Sequence, residues 1–485
     1  MARFGRGSLA LPCMEFDGIL YGSLALFLFG VVYFIYNADE IPMLMTLLYA
    51  GSGLYRYYIV VENPNQRAVG WVVVAYARSI FNLDNELALR ALNLYFLGTA
   101  LFVLGYIVTK TLIGKPQVEK DVKQMLGQYM LQKRTLLLSI FLAVNIAIFF
   151  SQSFLVARAL ADGYYNSATG VSYFLFLPFA LGGIVILIFI AWRAIDARTD
   201  PTSKLGFALV LIYGAFLSYN PGARFNFLSW VIVVGIIYVG NLPVWRKVRV
   251  YTIGLAGLLV VYSIAGLART PGAFLLPMEQ QVELALERLE TAEDQNLLDG
   301  FMMALQVYPE NLPYQYGFQH LEILLRPIPR AIWPDKPVGG YANKLGLNDF
   351  GSNSGLTIGI SESMYGTFYG EGGVGGIILL SLVYGAFFAY IVRRSERYKS
   401  DMRFLIKGMV AASLIALIRG GDLAGIVAFI GMSYWPVFIF MRGYGKYSAK
   451  FNAWFASVQN AQRMGALAKA QARLDDIAKT QEQPA

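Results

Sequence analysis

Apolar runs close to bilayer length recur along nearly the whole chain, and no other feature narrows the possible folds as much. Residues 19–36, 136–150, 172–192, 225–239 and 377–392 each form an almost uninterrupted apolar stretch. A helix needs roughly 20 such residues to cross the hydrocarbon layer, and apolar flanks bring these runs towards that length. In lipid the backbone must satisfy its own hydrogen bonds, so runs of this kind fold as helices. With 56% hydrophobic and 15% charged residues over 485 positions, the chain is too apolar for a soluble globular protein of this size. The sequence predicts an all-α polytopic membrane protein. About twelve spans are expected, near 18–36, 42–61, 67–81, 87–109, 135–156, 172–192, 205–219, 225–241, 250–267, 373–392, 404–418 and 423–441, the third being short.

Lysine and arginine gather at 110–134, 193–204, 245–249, 393–407 and 442–450, and a twelve-span threading puts every cluster on one side. The positive-inside rule makes that side cytoplasmic. Both termini are then expected in the cytoplasm, and the opposite face carries 157–171, 219–224, 268–372 and 419–422. Four units result: an N-terminal bundle of about nine helices (1–267), a large loop module (268–372), C-terminal membrane helices (373–441) and an amphipathic cytoplasmic tail (442–485) with Trp454 and Phe455 near its start. The net charge of +9 comes from the short basic loops, so it reports topology and no nucleic-acid partner is expected. A single cysteine, Cys13, excludes an intramolecular disulfide and a thiolate metal cluster. A lipoprotein reading of Cys13 fails because no apolar signal run precedes it and Pro12 stands before it. Arg3 and Arg6 ahead of the first run resemble a signal peptide, but no small-residue cleavage site follows 20–36, which predicts a retained anchor.

The stretch 268–372 is far longer than an ordinary connection, so it is expected to be a folded module or a lid. It opens with an acidic helix expected over 278–298. Residues 326–337 read Arg-Pro-Ile-Pro-Arg-Ala-Ile-Trp-Pro-Asp-Lys-Pro. The four prolines fix φ and bias each preceding residue away from helix. Such a stiff segment holds Arg326, Arg330 and Lys336 in a fixed arrangement that suits a phosphate or pyrophosphate. Trp333 brings an amphipathic ring for a membrane interface or a sugar face. The bland alternative is a proline-rich connection anchored to headgroups by that tryptophan. Further on, Ser361-Glu-Ser-Met-Tyr365-Gly-Thr-Phe-Tyr-Gly-Glu-Gly-Gly-Val-Gly-Gly376 runs into a membrane helix. Glycines there permit positive φ and a close backbone approach to an anion; helix packing by small residues is the commoner use of such clusters.

Three more arginines, Arg224, Arg269 and Arg419, fall at non-cytoplasmic helix ends in the expected topology, against the positive-inside trend. Each alone reads as a snorkelling anchor. Together with Arg326 and Arg330 on one face, they suit a shared anionic ligand, since five cations in a low-dielectric cleft repel one another strongly. General-base candidates on this face are Glu362, Asp335 and His320, with Asp422 placed to orient Arg419. Glu362 leads because it stands just before a membrane helix, close to where a lipid-borne substrate lies. An ion pair with an arginine is its plain alternative, and an ordinary loop histidine that of His320. The outward loops have no paired His/Cys set and no Asp-x-Asp, and the chain has no Walker-type loop and no Gly-x-Ser-x-Gly elbow. No metal or cofactor is expected, and ATP hydrolysis and serine hydrolase chemistry are set aside.

The 326–337 string, followed by Glu362 and by Tyr365-Gly-Thr-Phe-Tyr-Gly370, resembles the Wzy-type O-antigen polymerases, or oligosaccharide repeat unit polymerases. The resemblance covers mainly 205–440. Arg224 in Gly-Ala-Arg-Phe resembles the arginine that opens a helix after a short periplasmic turn in those enzymes and in O-antigen ligases, and Arg419 with Asp422 resembles their late periplasmic arginine. The acidic helix departs from the family pattern. The resemblance implies a GT-C-like polymerase/ligase fold in the bacterial inner membrane, with 268–372 in the periplasm. It implies metal-independent, inverting transfer of a glycan from undecaprenyl pyrophosphate to a hydroxyl of another lipid-linked repeat unit. Arg224, Arg269, Arg326, Arg330, Trp333, Lys336, Tyr365, Arg419 and Asp422 would bind substrate, and Glu362, Asp335 or His320 would take the proton. A flippase and a chain-length regulator are implied partners.

A ligase that moves the glycan to another acceptor uses the same donor and the same arginines. A flippase or other transporter of lipid-linked sugars is the reading from a different class. Transporters bind near the midplane through broken helices and show repeat symmetry; here no repeat between the halves stands out, and Arg56 and Arg78 are the nearest midplane charges, both able to snorkel.

Overall fold

A computed structural model describes residues 15–62, 83–118, 124–162, 177–218, 224–267, 272–291, 297–326, 328, 332–333, 339–345, 361–420 and 423–481. Among these every regular element is a helix. In chain order they are α1 (Phe16–Asn37), α2 (Ile41–Tyr49) running through a π-helical turn (Ala50–Tyr55) into α3 (Arg56–Glu62), α4 (Asn85–Leu112), α5 (Met125–Gln132), α6 (Arg134–Asp162), α7 (Leu177–Ala194), α8 (Pro201–Ser218), α9 (Arg224–Val239) and α10 (Val244–Leu267). After a short 3-10 turn come α11 (Met278–Thr291), α12 (Leu297–Val307), α13 (Phe318–Leu325), α14 (Tyr341–Lys344), α15 (Ser363–Ser395), α16 (Met402–Arg419) and α17 (Leu423–Gln481). Local chemistry sets several starts. The Asp84 carboxylate accepts from Leu87 N at 2.8 Å and caps α4. Asp200 accepts from Ser203 N at 3.0 Å ahead of Pro201, whose fixed φ suits the first helical position.

Five helices are long and apolar enough to cross a membrane, or six if the bent pair of α5 with 134–150, angled at 67°, is one span. Their apolar side chains form exposed stripes at helical spacing. Leu20, Leu24, Leu28 and Val32 line α1, Leu205, Leu209, Ile212 and Phe216 line α8, and Leu379, Val383 and Phe387 line α15. Water would not tolerate such stripes side by side, and lipid would. The chain is a membrane-embedded helical protein. The third expected span, 67–81, lies outside the described residues.

Glycines set the closest helix pair. α4 and α15 run parallel: Gly98 faces Ile377, Gly105 faces Leu382, and the Gly114 carbonyl accepts from Arg393 Nε. A methyl group on Gly105 would come within 2.6 Å of the Leu382 carbonyl oxygen, and one on Gly385 would overlap the Phe102 carbonyl. Small residues here let two backbones touch, as dispersion-driven packing in lipid requires. Around this pair sits one apolar core, shared with α1 to α3 and α12; a second joins α5 to α9 with α16 and α17.

The five basic clusters meet at one end of the bundle. Lys110 pairs with Asp39 and, at 2.9 Å, with Glu396. Lys407 pairs with Glu40 and, at 3.7 Å, with Asp39; Lys247 stands 3.7 Å from Glu40. Arg193 approaches Asp401 at 3.8 Å, and the Tyr444 hydroxyl donates to Ser400 at 3.2 Å. Burial pushes the Asp39 carboxyl pKa up, but the Lys407 and Lys110 charges outweigh it and hold it below the ordinary carboxylate value.

This geometry corrects the expected N-terminal threading. Gly30 abuts Met43 and Phe16 stacks on Tyr57 at 4.9 Å, so α1 is antiparallel to α2 and α3. Tyr49 meets Tyr95 at 5.5 Å and Ser52 bonds the Tyr95 hydroxyl at 2.6 Å, so α4 returns antiparallel. Phe16, Glu62 and Asn85 therefore share the end opposite the basic clusters. The start of α1 and the polar half of α17 emerge at opposite ends, rather than both on the basic face. The acidic pair Asp39-Glu40 accounts for the difference: it turns the chain within the basic end by neutralising lysines, whereas counting spans placed that turn on the far face.

The 268–372 stretch is only partly peripheral. Its acidic helix is described over Met278–Thr291, with 292–296 of the expected helix outside the described residues, and α12 is apolar with nearly every residue buried in the first core.

Candidate functional site

The far end is built around Ser361-Glu362-Ser363, where α15 begins. Gly300 of α12 lies so close beneath Ser361 that a methyl group would strike the Ser361 carbonyl, and Gly420 would strike Ser363 in the same way. Ser363 holds φ at +58° and pairs with Gly420, itself at φ +67°, in an isolated parallel bridge. Glu362 and Arg419 are thereby neighbours. Glu362 is 2% exposed and accepts from Thr367 Oγ1 at 3.2 Å. Lys407, at the basic end, and Gly420 lie thirteen residues apart by number, and at 1.5 Å per residue that is about 20 Å. Glu362 is buried and Arg419 half-buried, within the bundle rather than on a surface loop.

A hairpin-like break follows in α15. Non-helical Gly372 and Gly373 (φ +63°) split α15 into 363–371 and 374–395, and the chain doubles back so that Gly376 touches the Phe368 carbonyl. The loop before α13 clasps this break. Gln315 N donates to the Gly370 carbonyl and Tyr316 N to the Glu371 carbonyl, both at 2.9 Å, and Gly317 N donates to the Glu371 carboxylate. His320 bonds Glu371 Oε1 through Nδ1 at 2.7 Å and the Tyr384 hydroxyl through Nε2 at 3.0 Å. Both ring nitrogens are engaged, so His320 ties α13 to the break and is neither a loop histidine nor a base with an open nitrogen.

Between these two features stands Tyr308. Its ring and Gln319 crowd Gly370, where a methyl group would come within 2.9 to 3.0 Å of both. Burial raises the Tyr308 hydroxyl pKa above the ordinary phenol value, and the carboxylates of Glu362, Glu371 and Glu322 push it the same way. Lys344 stands 3.3 Å from Glu322, and Tyr341 donates to the Gly300 carbonyl at 3.1 Å. Beneath lies a fully buried ion pair, Arg56 Nη2 to Asp299 Oδ2 at 2.7 Å.

Of the residues singled out by sequence, the structure brings Glu362 and Arg419 together and puts His320 about two helical turns of chain away, on another element. Tyr365 is fully buried, with its ring on Gly98 and its hydroxyl 3.1 Å from Thr99 Oγ1. That is a packing position between α4 and α15. Arg326 follows α13, its N–H on the Glu322 carbonyl at 2.9 Å, and Trp333 is exposed at 37%. Arg224 opens α9. Arg269, Arg330, Asp335, Lys336 and Asp422 lie outside the described residues. Sequence reasoning missed Tyr308, Gln319 and Glu371, and read Arg56 as able to snorkel where it is buried against Asp299. A charge inside an apolar run beside Gly51-Ser-Gly53 was the available signal for that pair. Among the described residues no group of three or more His, Cys, Asp or Glu side chains is arranged to hold a metal ion.

The fold and its exposed apolar stripes define a class, the helical membrane proteins. No protein-family model, curated protein or solved structure matches the chain.

Proposed function

We propose that the chain is an oligosaccharide repeat unit polymerase of the Wzy type, acting at the periplasmic face of a bacterial inner membrane for O-antigen, capsule or exopolysaccharide synthesis. A GT-C-like arrangement belongs to this reading, with the basic end and the polar half of α17 in the cytoplasm. One observation carries it: Glu362 and Arg419, chosen for separate reasons of chemistry, precede the two bridged residues Ser363 and Gly420, within an apolar bundle.

The donor is a glycan on undecaprenyl pyrophosphate and the acceptor a hydroxyl of a second lipid-linked repeat unit. Glu362 takes the proton of that hydroxyl as its oxygen attacks the donor's anomeric carbon. The bond from that carbon to the pyrophosphate oxygen breaks on the opposite face, inverting the centre, and the pyrophosphate departs on its lipid. Arg419 meets the charge that develops there, joined by Arg224, Arg269, Arg326 and Arg330. Trp333 and Lys336 hold the substrate's headgroup region, and Asp422 orients Arg419. The low dielectric of the bundle strengthens each of these interactions.

The test is complementation of a host strain that lacks its own copy. Arg419→Ala, Arg224→Ala, Arg326→Ala and Arg330→Ala should insert normally and leave single-repeat glycans on a gel. Long chains of normal distribution from all four would rule the pyrophosphate role out. Glycan on a new acceptor would mark a ligase, and glycan merely moved across the bilayer a flippase.

A further inference from the structure

Two buried polar atoms beside the site have no hydrogen-bond partner among the described residues: the Tyr308 hydroxyl and Gln319 Oε1, on side chains that are each 1% exposed. Native proteins rarely strand such groups, because each costs its full desolvation. Their side chains lie together: Tyr308 Cε2 and Gln319 Nε2 stand 2.9 and 3.0 Å from where a Gly370 Cβ would be. Around them are the carboxylates of Glu362, Glu371 and Glu322, of which Glu322 and Glu371 have basic partners in Lys344 and His320. A cationic ligand would compete with those partners, and an anion would meet repulsion. A neutral ligand rich in hydroxyls matches acceptors of this kind.

The neighbouring surface is aromatic. Tyr308 and Tyr314 are near parallel, with centroids 6.3 Å apart and 17° between planes, and Tyr314 meets Tyr316 and Tyr369 edge-on. Tyr316 is exposed. Flat aromatic faces beside oriented oxygen acceptors suit a pyranose, which offers an apolar face of C–H groups and a rim of hydroxyls. Gly370, with no side chain, lets Tyr308 and Gln319 come this close to the backbone.

We propose that Tyr308 and Gln319, flanking Gly370, form a subsite for a neutral, hydroxyl-bearing sugar ring. Its assignment to the acceptor glycan rests on the polymerase reading, since Glu362 is the carboxylate next to it. Sugar binding itself does not rest on that reading.

The experiment uses the full chain in nanodiscs and, as probe, the repeat-unit oligosaccharide released by mild acid from the host's carrier lipid. Tyr308→Phe removes only a polar atom with no protein partner, so it should melt at or above the wild-type temperature, and Gln319→Leu, which removes Oε1 together with Nε2, should still fold. Each should bind the probe about 3- to 10-fold more weakly, the worth of one neutral hydrogen bond, and the double variant more weakly still. With lipid-linked substrate, KM for the acceptor should rise while the rate at saturation changes little. Probe affinity within twofold of wild type in both variants, or no binding by wild type at millimolar probe, overturns the subsite and leaves a buried water as its occupant. Wild type that polymerises, with unchanged acceptor KM in the variants, overturns the subsite and keeps the polymerase. Weakened probe binding in a protein that makes no polymer keeps the sugar site and removes the polymerase.

Discussion

Removing either partner of the Arg56–Asp299 pair should be among the most damaging single changes in the molecule, and removing both should be far milder. The guanidinium is 0% and the carboxylate 1% exposed, 2.7 Å apart, beside the first apolar core. Loss of one partner leaves a buried charge without its main counter-ion, which costs about 3 to 5 kcal/mol. Since each 1.36 kcal/mol is a factor of ten, the folded-to-unfolded ratio falls by about two to four powers of ten. Replacing both by apolar residues of similar size removes two desolvation penalties along with one attraction, and is often neutral. Arg56→Met and Asp299→Leu should therefore each lower the unfolding midpoint steeply, and the double variant should recover most of it. The assay is equilibrium unfolding in mixed micelles, read by tryptophan fluorescence as a double-mutant cycle. Single variants within about 1 kcal/mol of wild type, or a double variant that loses the sum of the two, would refute the reasoning.

Gly385→Ala should push α4 and α15 apart, because the added methyl meets the Phe102 backbone rather than a side chain that can turn away; a loss of about 1 to 3 kcal/mol is expected in the same assay, and no loss would mean the pair is not close-packed. The basic-end network sets an acid limit on stability. The lysines depress the Asp39 carboxyl, and Glu396 is likewise held low, with burial opposing and Lys110 and Arg393 prevailing. Their contribution is fully present above the unfolded carboxylate range, about pH 4 to 4.5, and is lost as pH falls through their lower folded values. Asp39→Asn should flatten that acid dependence; an unchanged acid limb would place its origin elsewhere.

Several parts of this arrangement are legible in the sequence for plain reasons. Lipid imposes a length and a polarity on each span, so α1, α4, α8, α15 and the first half of α17 can be read from apolar runs. The five basic clusters share an end because the charge rule acts on short loops. Glu362 and Arg419 stand out because charge at a helix end in a membrane needs a reason. What could not be read depends on contacts distant in sequence. Asp39 and Glu40 look like an ordinary connection until lysines at 110, 247 and 407 fold onto them. The apolar helix α12 sits in a stretch whose average is polar, and its burial follows from Asp299 meeting Arg56 some 240 positions away. The glycines of 370–376 serve a chain break and close packing, which periodicity cannot separate from a loop that cradles an anion. Tyr365 looks like a site aromatic by its motif, and only Gly98 opposite it reveals a packing role.

The central claim is that Glu362 and Arg419 work together on a lipid-linked pyrophosphate. Its most direct measurement is reconstitution of the purified chain in proteoliposomes with a lipid-linked repeat unit and a chelator, with glycans resolved on a gel. The account predicts a ladder from wild type without nucleotide or metal, and none from Glu362→Gln or Arg419→Ala in protein that melts normally. A ladder of undiminished length from both variants, or none from wild type under any condition that retains the fold, would contradict it.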